Sequence, residues 1–142
     1  MGSEEPSRSL ALILHSSAYD RLHQAFSIVE AALANDMDVH VYLTYWALEK
    51  IVKADLDKIV LDEEHDSARH LFSQGLRNGV IRSLDEMLAD SRASGHLHLY
   101  ACSQSMGLLG ITEEQALRRV DKVMGYVAFL VLAEEADLVL TI

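Results

Sequence analysis

A chain of 142 residues, half of them hydrophobic and 24% charged, is globular and long enough to bury a core without disulfides. Its formal charge of −10 argues against nucleic acid as a partner, because a phosphate-binding face needs clustered lysine and arginine. A lone cysteine forms no internal disulfide, and a single proline with seven glycines leaves little room for a flexible linker.

The opening "MGSEEPSRSL" is acidic and polar, the reverse of a signal peptide. The most apolar late stretch, "VMGYVAFLVLA" (Val123–Ala133), is too short to span a bilayer. The expectation is a cytoplasmic protein without a membrane segment, built as a flexible extension over residues 1–8 and one domain over residues 9–142.

"SLALIL" (Ser9–Leu14) is apolar on both faces, as a central parallel strand is. A helix follows, opening near Ser17 with Asp20 three residues on, a capping-box pattern, and Asn35 is placed to end it in a left-handed conformation. Leu22, Phe26, Val29 and Leu33 recur along it at helical spacing. The second strand, "DVHVYLT", puts Val39, Val41 and Leu43 on one face and His40, Tyr42 and Thr44 on the other. After "YWALEKIVK", residues 54–80 read as an irregular or partly helical insertion, in which Asp62, Glu63 and Glu64 form a solvated turn.

"SLDE" from Ser83 opens the next helix, which carries Leu84, Met87 and Leu88 and is closed by Gly95. Strand three is expected over residues 96–101, and "TEEQ" from Thr112 opens a further helix. "RVDKV" is a short fourth strand. "GYVAFLVLAEEA" is a helix apolar almost all round, hence deeply buried or at a subunit interface, and "DLVLTI" is the last strand. Strands alternating with helices predict an α/β sandwich on a mostly parallel sheet of about five strands.

In such folds ligands gather at the carboxyl ends of the strands. Cys102 sits there on strand three, before "SQSMGLLG", in which Ser103 or Ser105 is placed to cap a short helix. A thiol at a strand-to-helix turn faces free backbone N–H groups, which favour the thiolate. A metal site is not expected. Although His96, His98 and Cys102 share a strand face, His98 and Cys102 lie about 13 Å apart at ~3.3 Å per residue. The His40/Tyr42 pattern repeats that of His98/Tyr100, which reads as packing under a helix or at an oligomer contact. His65 and His70, five apart, share no helix face. His15, after strand one, lies at the same sheet edge as the thiol. Neither a Gly-rich phosphate loop nor a G-x-S-x-G elbow occurs, so no cofactor is expected.

"LTYWALEKI" (Leu43–Ile51) and "LYACSQSMGLLGI" (Leu99–Ile111) resemble segments of the DsrE/DsrF-like family of sulfur-relay proteins. The likeness is to its peroxiredoxin-like branch, where "FFTFWGL"-type and "YACSMSMELMGI"-type segments occur. It extends through "ANDMDV" and the closing "AEEADLVLTI", with His15 and Ser16 in place of an "SGD"-like turn and Ala47 where glycine is usual. The resemblance implies a three-layer flavodoxin-like sandwich, a small homo-oligomer and a cysteine, here Cys102, that carries sulfur as a persulfide. Ser103, Gln104, Ser105, Met106, His15, Tyr45 and Trp46 are then the residues expected around it. The partners it implies are TusA-like sulfur carriers. Two other readings stay open: a thiol peroxidase, or a non-enzymatic oligomeric module binding a small molecule or a protein.

Overall fold

The computed structural model describes residues 7–142, so most of the expected extension over residues 1–8 lies outside it. Five parallel strands form one sheet: β1 (Ser9–Leu14), β2 (Asp38–Leu43), β3 (Leu97–Cys102), β4 (Lys122–Met124) and β5 (Leu138–Thr141). Their order across the sheet is β4-β3-β2-β1-β5. Strand three begins one residue later than its sequence pattern predicts, so His96 lies outside it while Cys102 is its last residue.

The helices are α1 (Tyr19–Ala34), α2 (Tyr45–Lys53), α3 (Arg69–Arg77), α4 (Leu84–Ala93), α5 (Ser103–Leu109), α6 (Glu113–Leu117) and α7 (Tyr126–Glu134). The chain steps from β1 to β4 in one direction, then jumps back past β1 to reach β5. Right-handed crossovers in opposite directions leave their helices on opposite faces of a sheet. Accordingly, side chains of α1, α2, α4, α5 and α6 share one core with Leu10, Leu12, Val39, Val41, Leu97 and Leu99. On the other face α7 lies alone, packing Phe129 and Ala133 against Ala11, Tyr42 and Tyr100. The result is a three-layer sandwich with one thin outer layer.

That thinness changes the reading of α7. Phe129 stacks on Tyr42 at 4.5 Å between ring centroids and is buried, but Val127, Leu130 and Val131 on the outer side are 82%, 55% and 62% exposed. The helix is therefore not deeply buried, and the second expectation for it, a covered interface, concerns this stripe. No helix among the described residues is long and apolar enough to cross a membrane.

Capping follows the sequence where the partners are local. Ser83 Oγ accepts from Glu86 N–H at the start of α4, and Thr112 and Gln115 form the full reciprocal box on α6. Gly95, at φ 78°, follows the end of α4 as expected. At α1 the Ser17–Asp20 box does not form. Ala18 occupies the cap position, and Tyr19 N–H donates to Val60 O at 2.7 Å, a partner from the insertion. At the other end Asn35 keeps a negative φ of −92°, and the left-handed residue is Asp36 at φ 59°.

The insertion holds a 3₁₀ turn over Glu63–Ala68 and α3, and it anchors two helix starts. Asp57 Oδ1 accepts from Tyr19 Oη at 2.9 Å and from Leu84 N–H at 2.8 Å, while Oδ2 accepts from Asp85 N–H at 3.0 Å. One carboxylate thus satisfies free N–H groups of α4 and ties α4 to α1. Asp57→Ala is expected to lower stability by about 2–4 kcal/mol in urea unfolding, the cost of orphaning these donors. A loss below about 0.5 kcal/mol would show that water replaces the carboxylate.

Candidate functional site

β3 and β4 are adjacent, and Cys102 pairs with Met124 at their carboxyl ends. The chain leaving β3 turns to one face of the sheet as α5, and the chain leaving β4 turns to the other as α7. A crevice opens where neighbouring strands part in this way, and it is where open α/β sheets bind ligands. Cys102 stands at that point, fully buried.

The cap of α5 is Cys102 itself and not Ser103 or Ser105. Its Sγ accepts from the N–H of Ser105 at 3.5 Å. Ser105 is in turn fixed from β2's side, because its Oγ accepts from Tyr45 N–H at 2.9 Å. Tyr45 holds a left-handed φ of 45°, a conformation costing about 1–2 kcal/mol for a side chain with a Cβ. The turns after β2 and β3 are thereby joined through one serine.

Two phenols complete the surroundings of the sulfur. Tyr42 shares the buried cluster of Cys102, and the Tyr126 ring meets that of Tyr42 edge-on at 5.4 Å. A phenol has one proton, and that of Tyr42 is donated to Met124 O at 3.0 Å, so it must turn to serve a sulfur anion. Burial alone would push the Cys102 thiol up. Hydrogen bonds from the Ser105 side chain, from Tyr42, from the Ser105 N–H and from Tyr126 outweigh it, and the thiol titrates below its ordinary value. The phenols respond in the opposite sense. Tyr126 is pushed up to about 12, first by burial and then by its contact with Cys102, and Tyr42 is raised for the same reasons. Both therefore remain protonated donors at neutral pH.

The expected site residues divide. Ser105, Met106 and Tyr45 are buried or half-buried around the β3–α5 turn, whereas Ser103 and Gln104 are exposed on it. Ser103 Oγ faces Gly125, where an added Cβ would lie 3.6 Å away. His15 and Trp46 instead line a separate cleft of about 180 Å³ with Arg21, Val60 and Asp62. His15 meets the site only through Tyr45, in an edge contact at 5.3 Å.

His40 and His98 pack as their alternation suggests, whereas His96 lies exposed before β3 with its Nδ1 2.9 Å from Asp38 Oδ1. His40 stacks on His98 at 4.8 Å and its Nδ1 hydrogen-bonds Tyr100 Oη at 2.8 Å. Burial, then the neighbouring His98, lowers the His40 pKa against an opposing pull from Asp38. Among the described residues no group of three or more His, Cys, Asp or Glu side chains is placed to hold a metal ion.

Tyr42 and Tyr126 are the residues sequence reading misses as site members. The alternation puts Tyr42 on the Cys102 face of the sheet, but only the strand order brings the start of α7 over it.

Ultraviolet titration of the thiolate is expected to give a midpoint below the ordinary cysteine value of about 8.5. Ser105→Ala, which removes one donor, is expected to raise that midpoint by about one unit. A wild-type midpoint at or above the ordinary value would contradict the hydrogen-bond account.

A family model described as the DsrE/DsrF-like family matches residues 8–142. The "Uncharacterized protein YrkE" of Bacillus subtilis (strain 168) is similar, 24% identical over 155 residues that cover 94% of this chain and 96% of that protein. With a match running over nearly its whole length, the chain belongs to the DsrE/DsrF-like family.

Proposed function

We propose that the protein is a sulfur-relay carrier that accepts sulfane sulfur on Cys102 as a persulfide and passes it to a partner's thiol. The observation that carries this reading is the buried sulfur of Cys102 at the carboxyl end of β3, where it caps α5 by accepting from the Ser105 N–H at 3.5 Å. A sulfur at a strand-to-helix turn that faces backbone N–H is stabilised as an anion, and both the thiolate and the persulfide are anions.

The step balances without a redox partner. The Cys102 thiolate attacks the outer sulfur of a donor persulfide anion, R–S–S⁻. A sulfur–sulfur bond forms to Cys102 while the bond in the donor breaks, and the donor leaves as the thiolate R–S⁻. Delivery is the same exchange run toward an acceptor thiolate, which attacks the outer sulfur and restores Cys102 as a thiolate. A lone cysteine suits this chemistry, since no second thiol in the chain competes for the bound sulfur by closing a disulfide.

In this reading the acceptor is a small TusA-like carrier, and the setting is the cytoplasm, where an unpaired cysteine stays reduced. The exposed stripe of Val127, Leu130 and Val131 supports assembly into a small homo-oligomer, because a contiguous apolar face is stabilised by being covered. The same stripe supports the competing reading, an oligomeric binding module in which Cys102 only packs.

Treatment with inorganic polysulfide followed by intact mass spectrometry separates the two. The carrier reading expects wild-type protein to gain sulfur and to lose it to an added small thiol, with no gain on Cys102→Ser. Equal gain on that variant, or none on wild type, leaves the binding module.

A further inference from the structure

The chain carries 12 lysine and arginine residues against 22 aspartate and glutamate residues, so cations gathered in one place stand out. Arg92, Arg118 and Arg119 line a cleft of about 320 Å³ between α4 and the end of α6. Leu88 and Ala89 form its apolar wall, and Asp85 is the one carboxylate among its lining residues. Two of the guanidiniums are held by main-chain carbonyls. Arg92 Nη1 donates to Arg119 O at 2.8 Å, and Arg119 Nε donates to Ile51 O, near the end of α2, at 3.0 Å. Arg119 is thereby fixed without using its Nη1 and Nη2, which have no hydrogen-bond or carboxylate partner among the described residues. Arg92 Nη2 meets Asp121 Oδ1 at 3.5 Å, and that carboxylate gives its other oxygen to the Leu99 N–H at 2.7 Å. Arg118 bonds Glu114 at 2.8 Å, with the two side chains 67% and 80% exposed. An ion pair so exposed contributes little, and Arg118 is released from it at small cost.

We propose that this cleft binds a small molecule through a phosphate monoester, the phosphate on Arg119, Arg118 and Arg92 and the organic body against Leu88 and Ala89. A guanidinium anchored at one nitrogen and open at two presents a fork to an oxyanion. One fork serves a planar carboxylate, whereas the three terminal oxygens of a phosphate ester take up donors arriving from two elements. A cleft of about 320 Å³ falls at the lower end of small-molecule sites and has room beyond a bare oxyanion. Three cations in one recess form no track for a nucleic-acid backbone, in keeping with the formal charge of −10. Asp85 is the opposing charge on the wall, so its removal strengthens the site. The cleft shares no lining residue with the Cys102 turn, and the inference does not depend on sulfur transfer.

Isothermal titration calorimetry at constant ionic strength tests the site, with phenyl phosphate, inorganic phosphate and phenol as probes. Wild type is expected to bind phenyl phosphate more tightly than inorganic phosphate and to leave phenol unbound at the same concentrations. Arg118→Gln, which removes only an exposed ion pair from the fold, is expected to weaken phenyl phosphate about tenfold, the loss of one charge-assisted hydrogen bond. Asp85→Asn is expected to tighten it about threefold by removing a nearby like charge. Arg77→Gln takes an exposed arginine from the last turn of α3, outside the cleft, and is expected to change the affinity by less than about twofold. No binding of phenyl phosphate to the folded wild type overturns the proposal, and so does equal weakening by Arg118→Gln and Arg77→Gln. Inorganic phosphate that binds as tightly as the ester assigns a free oxyanion to the cleft and overturns the small-molecule site.

Discussion

The site depends on one contact, the Ser105 N–H donated to the Cys102 sulfur. It makes the last residue of a strand the first cap of a helix, so the thiol has no rotamer freedom apart from the turn itself. Because Ser105 Oγ simultaneously holds the Tyr45 N–H, the same serine fixes the turn after β2 in a left-handed conformation that would otherwise be unfavourable. Sulfur, strand ends and both following helices are consequently positioned as one unit. The Ser105 N–H needs no reorganisation when charge appears on the sulfur, the condition under which a hydrogen bond stabilises an anion most, whereas the Tyr42 hydroxyl must leave Met124 O to join it.

The location of that unit follows from connectivity. A chain that builds four strands in one direction and then returns to add the fifth must place its last helix on the empty face. The switch falls between β3 and β4, directly beside Cys102. The cost is an outer layer one helix thick. α7 has to present Phe129 and Ala133 inward, and with no second helix beside it Val127, Leu130 and Val131 face out. The same thinness lets Tyr126 sit at the boundary between core and solvent.

Much of this was legible from residue pattern alone, and the failures have a common cause. The strands, the alternation that puts Tyr42, Tyr100 and Cys102 on one face, and the caps at Ser83 and Thr112 depend on neighbours within a few residues. The cap expected at Ser17 did not form because Tyr19 found its acceptor in Val60, a partner contributed by the insertion. The thiol displaced Ser103 and Ser105 as the cap of α5 because β3 runs one residue further than its histidine-led pattern implies. His15 and Trp46, near the thiol by sheet edge, face a separate cleft because the loop after β1 turns toward the insertion. In the sequence Tyr126 is one position of an apolar helix. Its place beside Tyr42 appears only once the order of strands lays the start of that helix over β2.

The measurement that bears most directly on the central claim is the mass of the Cys102 peptide from protein isolated without reductant, its thiols blocked at lysis. The account predicts a fraction of that peptide heavier by one sulfur atom, and the loss of that fraction when an excess of small thiol is added before blocking. A peptide recovered solely as blocked free thiol, or carrying oxygen in place of sulfur, would contradict it.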